Sequence, residues 1–148
     1  MTKRKVILIS FISALGGLLF GFDTAVISGT IRLVSNEFVL GVDLEGWFVS
    51  SAIVGCVIGV ALAGVISDFF GRKKILIASA IFFTVSAIGC ALAKSITTLI
   101  IFRLVGGTGI GLASILSPMY IAELSPSKLR GRLVALYQLA ITIGILSA

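Results

Sequence analysis

Two charged side chains stand where charge is unfavourable. Asp23 interrupts the apolar stretch FGFDTAV at 20–26, and Arg103 opens RLVGGTGIG inside another apolar run. If they meet, a carboxylate and a guanidinium form a proton-handling pair. Burial favours the neutral acid, a neighbouring Arg favours the ionised one, and Arg itself stays charged throughout, so small changes of geometry can load and release a proton. Near the centre of a membrane helix each charge alone costs roughly 2.5–3.5 kcal/mol, whereas a pair about 4 Å apart gains on the order of 4 kcal/mol at an effective dielectric of 20. The competing reading is that Asp23 reaches the outer interface while Arg103 snorkels or ties two helices together. On a helix, Gly16, Phe20, Ile27 and Thr30 share the face of Asp23. A ring at Phe20, one turn from the acid, suits either a ligand with one apolar and one polar face or ordinary packing.

Whether the pair meets depends on the elements that carry it. Of 148 residues, 58% are hydrophobic and 12% charged, and the mean hydropathy is +1.21. A soluble domain carries about 25% charge. Runs of bilayer length, about 20 residues each, fall at roughly 6–31, 47–67, 75–93, 96–120 and 133–148. Uninterrupted apolar runs exclude β-barrel strands, which alternate in polarity, and lipid leaves helices as the other way to satisfy the backbone. The expected fold is all-α, a polytopic membrane helical bundle. Asp23 lies eight residues before Ile31 and Arg103 seven after Ile96, placing both about 10–12 Å below the outer surface. They share a level.

The basic start MTKRK followed by an apolar stretch imitates a secretory signal, but the stretch continues to Ile31. It is expected to be the first membrane helix. With a cytoplasmic N-terminus, the inner side holds Lys3, Arg4, Lys5, Arg72, Lys73, Lys74, Lys128, Arg130 and Arg132, against Arg32 and Lys94 outside. That asymmetry follows the positive-inside rule and explains the net charge of +6 by topology, leaving no reason to expect nucleic acid as a partner. There is no histidine, and Cys56 and Cys90 both lie in apolar runs. No metal site, cofactor site or disulfide framework is expected, and no nucleophile–base set supports an enzyme. Gly17 and Gly21, Gly55 and Gly59, and Gly107 and Gly111 are spaced four apart for close helix packing. The glycines after Arg103 lack the βαβ setting of a dinucleotide fingerprint.

Five ordered motifs carry a resemblance: GFDTAVISG at 21–29, GVISDFFGRKK at 64–74, RLVGGTGIG at 103–111, PMYIAELSPSKLRGRL at 118–133 and YQLAITIGIL at 137–146. Together they resemble the first five helices of the sugar porter family of the major facilitator superfamily, most closely bacterial xylose-type sugar/proton symporters. The resemblance implies twelve helices in two six-helix halves, a monosaccharide held between the halves, and alternating access. This chain would be a partial N-terminal half, and without the second half it is not expected to transport alone. The resemblance makes Asp23 the proton-binding carboxylate and Arg103 its partner. Facilitative carriers of this kind commonly have an amide at the position of Asp23, so the acid favours symport over uniport. Gln138 resembles the sugar-binding glutamine, with Phe20 and Ile141 as apolar contacts in the same pocket. Asp68, Gly71, Arg72, Glu123 and Arg130 resemble a cytoplasmic charge network that latches the outward-facing state. The implied location is the cell membrane, with a sugar and a proton as partners. A non-transporting membrane fragment with a structural or regulatory role is the alternative from another class.

Overall fold

The computed structural model describes residues 3–148, with side chains from Val6 onward. The side chains of Lys3, Arg4 and Lys5, part of the topology argument, lie outside the described residues. Among those residues five helices follow one another: α1 Lys3–Glu37, α2 Val42–Phe70, α3 Arg72–Ala91, α4 Ile96–Leu124 and α5 Ser127–Leu146. All five are long and apolar enough to cross a membrane. They differ from the apolar runs chiefly at their ends. α1 continues past Ile31 through Arg32 to Glu37, and α2 begins at Val42 rather than Trp47. The hydrophobic run is set by about 30 Å of hydrocarbon, whereas a helix can extend into the headgroup region with its polar side chains solvated. α3 stops at Ala91, so Leu92 and Ala93 belong to the turn before α4.

The connections are short and chemically legible. Between α2 and α3 the only residue is Gly71, at φ +89°, where its N–H donates to the Ser67 carbonyl at 2.9 Å. A side chain there would be strained, which is why glycine occupies the turn. Ser95 caps α4 by accepting from the Thr98 N–H at 3.3 Å.

Packing is inverted relative to a water-soluble protein. Phe69 is 87% exposed and Val65 76%, while Ser10, Ser51, Ser67 and Ser117 are almost completely buried. Apolar side chains face outward because lipid is as apolar as they are, and small residues face inward so that backbones can approach. α4 is the centre, packed against α1, α2 and α3, while α5 packs chiefly on α1. Two seams do most of the joining. Along α2/α4, Gly55 lies against the Leu104 carbonyl, Gly59 against Thr108, Gly107 against Ala52 and Gly111 against Cys56. Along α1/α5, Gly17 meets Tyr137, Gly21 meets the Ile141 carbonyl, and Gly144 meets Leu18.

Candidate functional site

Asp23 on α1 and Arg103 on α4 meet inside the bundle. Arg103 Nη2 lies 3.7 Å from Asp23 Oδ2, with the Arg side chain 11% exposed and the Asp side chain 27%. That separation is an ion pair without a well-made hydrogen bond. The Arg103 Nε and Nη2 atoms are buried and have no hydrogen-bond partner among the described residues. Its guanidinium also lies over the ring of Phe48 on α2, 5.1 Å from the centroid, and Phe48 is itself buried. Cation–π contact of this kind suits Arg, whose planar ion is weakly hydrated. The contact ties the pair to the α2/α4 seam, since Gly107 on α4 sits one turn beyond Arg103 against Ala52.

The pair faces a cavity of about 270 Å³ between α1, α2, α3 and α4. Thr30 and Val34 extend its wall along α1, and Ser86 and Cys90 line it from α3. Ser86 Oγ donates to the Phe102 carbonyl at 2.6 Å, fixing α3 to α4 one residue before Arg103. Phe48, Ser86 and Cys90 were not candidates from the sequence. Their approach to Arg103 is a contact between helices, and no local spacing announces it.

The residues expected to touch sugar lie elsewhere. Phe20, Gln138 and Ile141 do not line the Asp23 cavity. Phe20 and Ile141 are half-buried beside the α1/α5 seam, where Gly21 abuts the Ile141 carbonyl, and Gln138 is exposed on α5. The structure therefore separates two groups: an acid–base pair between α1 and α4, and a polar and apolar set between α1 and α5.

At the other end of the helices, Arg72 joins three elements. Its Nη1 donates to Asp68 Oδ1 at the end of α2, and its Nε donates to Glu123 Oε1 near the end of α4 at 3.2 Å. Gly71 makes the turn that brings Asp68 and Arg72 together. Arg130, expected in the same network, pairs with none of these residues; it is exposed in the first turn of α5, past Pro126. The turn at Ser125 and Pro126 ends α4 between Glu123 and Arg130.

A sequence-family description, "Sugar (and other) transporter", matches residues 9–148. The chain belongs to that family. Among its relatives, the arabinose-proton symporter of Bacillus subtilis (strain 168) is 50% identical across 95% of this chain, and the D-xylose transporter of Levilactobacillus brevis is 47% identical across 100% of it. Among solved structures, the inward-open xylose transporter XylE from E. coli is 43% identical, with a TM-score of 0.88 over 95% of this chain. The proton:xylose symporter XylE bound to 6-bromo-6-deoxy-D-glucose gives a TM-score of 0.89 over 98%. The fold is thus that of the major facilitator superfamily, and the chain is a multi-pass membrane protein. This sugar transporter family member spans 30% and 32% of the two curated relatives' lengths and 38% and 36% of the two solved chains.

Proposed function

We propose that this chain is the proton-handling part of a sugar transporter that moves a monosaccharide together with a proton across the cell membrane. The observation that carries the proposal is the Asp23–Arg103 pair, 3.7 Å apart and facing a cavity within a helical bundle. An ionisable pair at membrane depth is functional by default, because structure alone is better served by apolar packing. In this reading Asp23 takes up the proton, and Arg103 holds the carboxylate ionised until the proton arrives. Neutralising Asp23 frees the guanidinium, and that changed contact is the signal passed to the rest of the protein. Phe20, Gln138 and Ile141 contribute to the sugar path from α1 and α5. The Asp68–Arg72–Glu123 cluster stabilises one end of the alternating-access cycle. The basic residues at the starts of α1, α3 and α5 support a cytoplasmic N-terminus. Two named relatives, the arabinose-proton and D-xylose-proton symporters, support proton coupling over facilitated diffusion.

The test is Asp23→Asn in the transporter that carries this segment, reconstituted in vesicles. Sugar-dependent proton uptake and accumulation against a gradient should be lost, while equilibrium sugar binding is retained. A variant that still accumulates sugar and takes up protons removes Asp23 from coupling. Loss of binding, expression and transport together makes the pair structural.

A further inference from the structure

Of the ten phenylalanines in the chain, Phe48 alone is buried, at 2% exposure. The other buried residues of α2 are all glycine, alanine or serine, whereas its large apolar side chains, such as Trp47, Val57 and Val65, face outward. Lipid is as apolar as a phenyl ring, so the hydrophobic effect gives this ring no reason to turn inward. Something inside the bundle holds it.

The register of the α2/α4 seam identifies the partner. The two helices are the second and fourth crossings of the chain and so run parallel, with Gly107 on Ala52 and Gly111 on Cys56. One turn back along each helix from the Ala52–Gly107 contact stand Phe48 and Arg103, and there the guanidinium lies 5.1 Å from the ring centroid. Ser51 Oγ donates to the Phe48 carbonyl at 2.8 Å, tying down the backbone of that turn. Arg103 therefore has two partners of different kinds. Asp23, at 3.7 Å, attracts the guanidinium as an anion and only while ionised. The ring attracts it through its quadrupole, which no proton alters. Besides this pair, the one titratable group lining the cavity is Cys90 on α3; α2 lines it with Phe48 alone, and α5 does not line it.

We propose that Phe48 is a positioning residue of the proton-coupling unit: its ring holds the Arg103 guanidinium back from Asp23 and keeps it when Asp23 is protonated. The inference rests on the proton-coupling reading above and adds α2 to the unit. The ring and the carboxylate compete for one cation. Weakening the ring lets the guanidinium close on the carboxylate, and leaves it without a partner once the carboxylate is neutral. Both effects oppose protonation, so proton uptake then needs a more acidic medium.

The experiment replaces Phe48 by mono-, di- and trifluorophenylalanine in the transporter that carries this segment, reconstituted in vesicles, with Phe48→Leu alongside. Fluorine withdraws electron density from the ring face and nearly preserves the ring's shape, so a packing role would not notice it. The readouts are proton uptake driven by D-xylose, L-arabinose or D-glucose as a function of pH, and thermal melting in detergent. The midpoint of the uptake profile should move to lower pH with each added fluorine, reaching about 0.4–1.5 pH units in Phe48→Leu, the range of one cation–π contact. Melting of the fluorinated proteins should stay close to that of wild type. A profile that is unmoved across the fluorinated series, or moves to higher pH, overturns the inference. Lower melting with an unmoved profile assigns the ring to packing and also overturns it. The shift should persist beside Cys90→Ser; a shift lost there belongs to the thiol and counts against Phe48. A wild type without sugar-driven proton uptake, or an Asp23→Asn variant that retains it, brings down the underlying coupling reading, and the inference with it.

Discussion

Gly107→Ala gives a worked test of the seam that holds Arg103 in place. A Cβ added at Gly107 would lie 2.9 Å from the Ala52 carbonyl carbon and 3.0 Å from its Cα, and closer still to its oxygen. Carbon atoms are comfortable at about 3.5–4.0 Å and the oxygen is nearer still, so α2 and α4 would have to separate by about 1 Å or more. Every atom in the way is backbone, and no rotamer can relieve the clash. The neighbouring contacts, Gly55 on Leu104 and Gly111 on Cys56, would loosen with it. Overpacking of this kind costs about 1–3 kcal/mol. The internal control is Gly64→Ala on the same helix as Ala52, where an added Cβ meets nothing within 4 Å. There the exchange should be neutral or stabilising by up to about 1 kcal/mol, from reduced freedom of the unfolded chain. Thermal unfolding of the purified protein in detergent separates the two, with Gly107→Ala melting lower. The displacement should also draw Phe48 away from the guanidinium, 5.1 Å from its ring in the native arrangement. Equal melting temperatures for the two variants would refute the seam as the element that positions Arg103.

Arg72→Ala should leave the melting temperature nearly unchanged, because its partners Asp68 and Glu123 are exposed, yet shift the balance between inward- and outward-facing states. Site-specific thiol accessibility from the two sides of the membrane reads that balance, and an unaltered pattern would remove the cluster from the cycle. A cysteine introduced at Lys73 or Lys74 should resist an impermeant thiol reagent applied to intact cells and react once the membrane is opened. Labelling from outside would invert the proposed orientation.

The level at which Asp23 and Arg103 meet was legible from distances along the chain. Helices in lipid are straight rulers, and two charges stranded in hydrocarbon have few other partners. The glycine pairs were equally legible as packing sites, since a residue without Cβ four positions from another marks a close approach. Their partners were not, because glycine spacing says that a backbone comes near without saying whose. The same limit hid Phe48: a phenylalanine in an apolar run carries no mark of the cation it will cover. Helix ends were blurred because hydropathy measures the thickness of the hydrocarbon while helices such as α1 run on past it to Glu37. Arg130 was expected in one network with Glu123 from the family resemblance, and among the described residues it pairs with neither Glu123 nor Asp68, the Ser125–Pro126 turn lying between the two helices that carry Glu123 and Arg130.

The energetics of the central pair argue against its being there as glue. At 3.7 Å and an effective dielectric of 20, the attraction is on the order of 4 kcal/mol. Removing two ions from water costs several kcal/mol each, so the pair by itself yields little or no net stability. A pair selected for strength would be bidentate, with every guanidinium N–H satisfied. Here Nε and Nη2 of Arg103 are buried without a hydrogen-bond partner among the described residues, and the carboxylate stands beyond ordinary hydrogen-bond reach. Such an arrangement is poised rather than locked. Protonating Asp23 removes an attraction that was already incomplete, and the guanidinium keeps the Phe48 ring as a second partner on α2. A small electrostatic change on α1 can therefore move a charged side chain on α4 without unfolding anything. In the proposed coupling, the glycine seam would carry such a movement rigidly, because backbone packed on backbone has no side chain in which to absorb it.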